Sequence, residues 1–184
     1  MEIILGSASP RRKEIMESLS LKFKIVSTGV DESTNESDPE KRVIELSLRK
    51  ANAVAQSQNA EALVIAADTV VYLDGEYYNK PKDLEDAVRI LSCLSGKTHK
   101  VYTGVTLFCE KSAESFCEIS QVKMKSLTIA EIRAYIEKYR PLDKAGAYGI
   151  QDKSVVKSYV GSYSNIVGLP IEELKKRLKK WSIL

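Results

Sequence analysis

The stretch LVIAA at residues 63–67 constrains the fold most, because five consecutive apolar side chains end abruptly at Asp68. A strand with one wet face alternates apolar and polar residues, whereas an unbroken apolar run is covered on both faces. It predicts a buried central strand. The rest of the chain supplies the cover. Residues 3–5 (IIL) read as a strand, followed by a helix with Ser9 as N-cap, Pro10 at its first position, and Ile15, Met16 and Leu19 as its apolar stripe. Residues 23–27 alternate like a strand, and residues 30–38 are acidic, polar loop. Pro39 opens a long helix to about Gln56 whose apolar face includes Val43, Leu46, Ala53 and Val54.

Beyond the central run, residues 70–73 and 76–78 flank Asp74-Gly75, a strong signal for a two-residue hairpin. Residues 84–94 are helical in pattern and stop at Gly96. Two alternating runs rich in Val, Thr, Tyr and Phe, at 99–109 and 116–124, form a second strand pair. Thr128 and Glu131 have capping-box spacing for a helix to about Tyr139, ended by Pro141. Then come DKAGAYGIQ (143–151), two short strand-like runs and NIVGLP (165–170). The last helix carries Ile171, Leu174, Leu178 and Trp181 on one stripe. Helices interleaved with single strands and hairpins predict an α/β fold with a mixed sheet, organised as one domain over residues 1–184.

Composition removes several function classes. At 184 residues, 43% hydrophobic and 29% charged, the chain can bury a sizeable core without disulfides or metals. No apolar run approaches the roughly 20 residues that span a bilayer, and the first residues lack a signal-peptide layout, so a cytoplasmic protein without a membrane role is expected. Cys93, Cys109 and Cys117 show no CxxC spacing, and the lone His99 cannot complete a zinc site with them. A net charge of +3 gives no case for nucleic acid, and the basic run KKRLKK (175–180) lies on one helix as a solvated face.

The stretch GSASPRRK at 6–13 breaks two local rules. Arg11 and Arg12 stand in the first turn of a helix, where the dipole favours acids and where a capping box would place Glu or Gln. Two readings are open: a solvated, mildly unfavourable pair, or a site where an anion meets free backbone N–H groups and two guanidinium forks. Elsewhere, Asp68 follows an apolar strand and precedes Thr69, a position suited to holding a divalent ion or activating water, or to capping the strand end. Lys50 on the long helix, Lys80 between Asn79 and Pro81, and Lys144 before a glycine-rich turn add cations. Glu32 adds a second candidate carboxylate, and Gly146 and Gly149 permit close backbone approach. Several cations with a few hard oxygen ligands fit a nucleoside triphosphate carrying magnesium. No GxxxxGK[ST] loop or kinase glycine loop is present.

Six stretches then match one family's signatures in order: SASPRR (7–12), ADTVV (67–71), Gly75 with Lys80-Pro81, LSG (94–96), DKAGAYGIQ (143–151) and VGLP (167–170). Over essentially its whole length the chain resembles the Maf (septum formation protein) family of nucleoside triphosphate pyrophosphatases. Arg11 after Ser-Pro, Thr69 after the acid and Gln151 closing GAYGIQ resemble the branch acting on dTTP and UTP rather than that acting on 7-methyl-GTP. Asp152-Lys153 departs from the family, whose members often have Gly after the Gln.

The resemblance implies an elongated mixed central sheet flanked by helices, with two lobes, a cleft, and kinship to inosine triphosphate pyrophosphatases. It implies hydrolysis between the α and β phosphates, limiting noncanonical nucleotides, with a divalent cation (Mg2+ or Mn2+) and a homodimer. By the same transfer Asp68 is the general base or metal-linked activator of water, and Glu32 a metal ligand with it. Ser7, Arg11, Arg12, Lys50 and Lys80 bind the triphosphate, and Arg11, Thr69 and Gln151 set base preference. The competing expectation is a nucleotide-binding regulator of septation with little turnover.

Overall fold

The computed structural model describes residues 1–27, 29–110 and 112–184. In chain order the elements are β1 (Ile3–Leu5), α1 (Pro10–Glu17), β2 (Lys24–Ile25), α2 (Pro39–Ala55), β3 (Leu63–Leu73), β4 (Glu76–Tyr78), α3 (Leu84–Leu94) and β5 (Thr98–Cys109). They continue with β6 (Ser112–Met124), α4 (Ile129–Tyr139), a single 3-10 turn (Ala145–Ala147), β7 (Val156–Val160), α5 (Tyr163–Val167) and α6 (Ile171–Lys180). The local signals act as expected. Ser9 caps α1 by accepting from the Arg12 N–H, with Pro10 in the first turn. Thr128 and Glu131 form a reciprocal capping box on α4. Asp74 and Gly75 turn the β3–β4 hairpin with φ of 52° and 90°, as a type I′ turn requires.

The sheet runs β2-β1-β3-β5-β6-β7, with β4 also on β3. Strand β1 is parallel to β2 and β3, and every other pairing is antiparallel, so the sheet is mixed. Strand β3 organises it. One of its edges pairs with β5 from Val64 through Tyr72. On the other, Leu63 to Ile65 pair with β1 and Val71 to Leu73 with β4. Residues 66–70 lie between these partners, and among the described residues no strand covers that edge.

Alternation along β3 distributes the cores. Leu63, Ile65 and Ala67 pack with Met16 of α1 and Leu174 and Leu178 of α6. Val71 and Leu73, on the same face, pack with Ile90 and Leu91 of α3 and Ile132 and Ile136 of α4. The opposite face lies under α2, where Val64 and Ala66 meet Ala51 and Val54, and Val70 meets Val43. Two lobes thus share one strand and meet where its side chains turn polar. His99 is buried in the sheet, its Nε2 2.7 Å from the Tyr148 hydroxyl, and burial pushes it down to about 4, leaving it neutral. Cys93, Cys109 and Cys117 are free thiols.

Three sequence expectations are corrected. Asp68 does not end its strand: Asp68 and Thr69 pair with Gly104 and Thr103, so the β5 ladder carries the backbone through both polar residues. The alternation at 23–27 yields only the two-residue β2. One strand, β7, forms between Gln151 and NIVGLP instead of two, and Asn165 lies in helix α5, capped by Ser162.

Gly104 sets the height of α2 above the sheet. A Cβ there would stand 2.3 Å from the Val43 carbonyl oxygen and 2.8 Å from the Ile44 nitrogen, both backbone atoms that cannot rotate away. Gly104→Ala should therefore lift α2 and destabilise the fold by about 1–3 kcal/mol, the usual range for overpacking, read from a denaturant midpoint at unchanged m-value.

Candidate functional site

The uncovered edge of β3 forms the floor of a cleft of about 630 Å³, within the range of small-ligand sites. The β1–α1 loop makes one wall, and the turns around Lys80 and residues 143–151 make the other. The nine residues to which the resemblance gives a role all line this space, although they come from six separate segments; Lys144 and Gly149 line it too, and Gly146 does not.

Asp68 is buried on the face of β3 beneath α2. Lys50, projecting from α2, places its Nζ 2.5 Å from Asp68 Oδ1 and 2.8 Å from Glu32 Oε1. Two carboxylates on different segments thus converge on one cation. Burial alone would raise the Glu32 carboxyl, but the hydrogen bond and charge of Lys50, with Lys80 and Arg12 beyond, hold it below the usual carboxylate range. Among the described residues no group of three or more His, Cys, Asp or Glu side chains is arranged to hold a metal. The donor set still fits a hard cation that takes one or two carboxylates from protein and its remaining oxygens from substrate phosphates and water.

The two arginines take different routes. Arg12 turns inward: its Nε donates to the Gly168 carbonyl at 2.8 Å, Nη2 to Thr69 Oγ1 at 3.1 Å and Nη1 to Ser7 Oγ at 3.2 Å. Thr69 Oγ1 lies 3.0 Å from Thr103 Oγ1, which donates to the Asn165 carbonyl at 3.0 Å, and the Asn165 amide donates to Ser120 Oγ. All three acceptors on Arg12 are neutral. Among the described residues no carboxylate lies within 4 Å of it. Burial draws its pKa down, Asp68 and Glu32 counter that, and Arg11 adds repulsion. A partly buried guanidinium without a counter-ion is an unfinished electrostatic arrangement that an anion completes.

Arg11 reaches across the mouth to the other lobe instead. Its Nη1 bonds the Asp143 carboxylate and its Nη2 donates to the Asp143 carbonyl at 3.0 Å, while Lys144 Nζ lies 2.8 Å from the second carboxylate oxygen. Burial opposes ionisation of Asp143, but Lys144 and Arg11 prevail and hold it at about 2. Gln151 is exposed in a turn at the rim, and Lys80 lines the cleft close enough for its charge to act on Glu32. Sequence reasoning missed Asp143, Thr103 and Asn165. Thr103 carried no local signal, Asp143 opens the matched stretch DKAGAYGIQ but was given no role, and Asn165, polar within NIVGLP, could have been flagged as a buried amide.

The whole chain can be placed among known proteins. A sequence profile of the family described as Maf-like protein matches residues 2–181. A dTTP/UTP pyrophosphatase of Thermosipho melanesiensis is 44% identical over 186 residues, covering 100% of this chain and 97% of the relative. Proteins of the same name from Clostridium perfringens and Carboxydothermus hydrogenoformans are each 43% identical, covering 100% and 98% of this chain and 98% and 99% of theirs. Among solved structures, a HAM1 protein from Coxiella burnetii superposes with a TM-score of 0.56 at 13% identity over 98% of this chain and 99% of its own. The Staphylococcus aureus Ham1 protein gives 0.51 at 15% over 67% and 72%. At such identities these two report the fold, a mixed sheet flanked by helices.

The state of Arg12 yields a test with a plain anion. Arg12→Gln should weaken tripolyphosphate binding by about 10-fold to 100-fold, the loss of one charge-assisted contact, in a calorimetric titration. Arg12→Lys should recover little, because one ammonium cannot span three acceptors.

Proposed function

The chain belongs to the Maf-like protein family, and on that premise we propose that it is a nucleoside triphosphate pyrophosphatase. It hydrolyses dTTP and UTP, and modified pyrimidine nucleotides, to the monophosphate and pyrophosphate. The observation that carries the reading is the meeting, on one uncovered strand edge, of an acid held by Lys50 and an arginine held only by neutral groups. An acid that can take a proton from water, beside a cation that can receive phosphate charge, is the minimum equipment for phosphoanhydride hydrolysis.

In this reading Ser7, Arg12, Lys50 and Lys80 hold the triphosphate, and Arg11 exchanges Asp143 for phosphate oxygens as the substrate enters. Asp68 accepts the proton of a water that attacks the α phosphorus; the bond to the bridging α–β oxygen breaks and pyrophosphate leaves. Lys50, competed away by phosphate, frees Asp68 and Glu32. Those two carboxylates would hold a divalent cation, which when bound shields the phosphate oxygens and polarises them. Gln151 reads the base: its amide offers a donor and an acceptor, matching a carbonyl and the imide N–H of uracil or thymine, while cytosine presents a different edge. The same proposal includes work in the cytoplasm as a homodimer, removing noncanonical nucleotides before they reach nucleic acid. A regulator of septation that binds nucleotide without turnover leaves the acid at the cleft floor without a task.

With UTP and magnesium, chromatography should show UMP and pyrophosphate in equal amounts, and chelation of the metal should abolish turnover; UDP with orthophosphate would refute the assigned bond. Asp68→Asn should cost about 10²–10⁴-fold in rate, the range for a lost general base, with nucleotide binding largely retained in a titration. For the base, dTTP and UTP should be hydrolysed much faster than dCTP and CTP. Gln151→Leu should erode that preference more than it lowers the best rate, because leucine offers the base edge neither donor nor acceptor.

A further inference from the structure

Gln151 occupies the third position of a four-residue turn, 149–152, that is closed more than once. The Asp152 N–H donates to the Gly149 carbonyl at 3.0 Å. In return, the Gly149 N–H faces two acceptors, the Tyr135 hydroxyl oxygen at 3.1 Å and Asp152 Oδ2 at 3.2 Å. The Tyr135 hydroxyl itself donates to Asp152 Oδ2 at 2.5 Å. Hydroxyl, carboxylate and amide thus form a closed triangle around the peptides flanking Gln151.

The triangle is anchored on both sides. Tyr135 belongs to α4, is 4% exposed, and sits in the core cluster that also holds Ile132 and Ile136, so its hydroxyl is fixed by packing. Burial, reinforced by Asp152, raises the phenol pKa and keeps it a donor. Asp152 ties the turn to the sheet: its carbonyl accepts from the Val155 and Val156 N–H groups, and the Val155 carbonyl accepts from Lys125 at the end of β6. Gly149 leaves no spare room. A Cβ there would lie 2.6 Å from Gln151 Nε2 and 2.7 Å from Asp152 Oδ2. Gln151 is exposed and otherwise has only the turn's backbone to orient it.

We propose that Tyr135 and Asp152 are positioning residues for base selection, holding the Gln151 turn in a preset shape from the core of the α3–α4 lobe. This rests on the reading of Gln151 given above. Neither residue touches the cleft floor where the phosphates are placed, so the pair acts on which base is accepted rather than on the rate of bond breaking. The three hydrogen bonds fix the backbone from which the Gln151 side chain departs, and a reading amide launched from a fixed backbone has fewer ways to re-pair with the wrong base edge than one on a loose turn.

The experiment compares pyrophosphate release from UTP and CTP by full-length wild type, Tyr135→Phe, Asp152→Ala and Asp152→Asn, with thermal melts of each. For Tyr135→Phe and Asp152→Ala the ratio of kcat/KM on UTP to that on CTP should fall about tenfold or more, mainly through a lower KM for CTP, while kcat on UTP stays within about threefold. Asp152→Asn retains an oxygen that accepts from Tyr135 and should keep intermediate selectivity. Equal losses on both nucleotides with an unchanged ratio would mean a merely structural role and overturn the inference. Should Tyr135→Phe fail to fold, the ratio for Asp152→Asn against Asp152→Ala decides. A wild type that treats UTP and CTP alike refutes the role of Gln151 itself, a failure visible before any variant is made.

Discussion

A strand that serves two hydrophobic cores must cross the space between them, and β3 does so with Asp68 and Thr69. Polar side chains in the middle of a buried strand are costly unless each finds a partner. Here the partners are Lys50 below one face and Arg12 above the other. The alternation that sends Asp68 toward α2 and Thr69 toward α1 and α5 thereby separates acid from arginine across the thickness of the sheet. That separation leaves Asp68 with Lys50 and Arg12 with neutral acceptors only. Were the two on one face, they would pair with each other and leave nothing for a ligand.

The charges around this point do not balance. Six cations and three carboxylates line the cleft: Lys50 is shared by two acids, Arg11 and Lys144 share a third, and Arg12 has none. The excess is local, whereas the chain as a whole carries only +3. An excess of cations of this kind is what a polyanionic ligand balances. Each carboxylate already has a cation beside it, so no acid is stranded, and among the described residues the partly buried charge of Arg12 is left without a counter-ion.

What the sequence made legible was whatever is decided within a few residues. The Ser9 and Thr128 caps, the Asp74-Gly75 turn and the apolar stripe of α6 depend on neighbours three or four positions away, and each formed as read. That certain residues would share one cleft was legible through resemblance and through broken local rules, above all two arginines at a helix start. The failures are long-range. Asp68 looked like a strand end because nothing nearby reveals that Gly104 and Thr103 will continue the ladder. Arg11 looked like a partner for Arg12 because its acid, Asp143, stands 132 residues away. Helix α5 is five residues long, too short for a periodic pattern to announce it.

The shared strand has a mechanical consequence as well. Both lobes are built on β3, and β3 is laced to β5 by an unbroken register from Val64 on Phe108 to Tyr72 on Lys100. No loop interrupts that ladder at the level of the cleft, so the connection between the lobes there is hydrogen-bonded backbone. Opening by rigid-body rotation would shear nine residue pairs at once. The two lobes are therefore joined along the floor of the cleft by a continuous ladder and across its mouth by one side-chain pair, Arg11 with Asp143: the molecule resembles a jaw whose joint is backbone and whose clasp is a single ion pair.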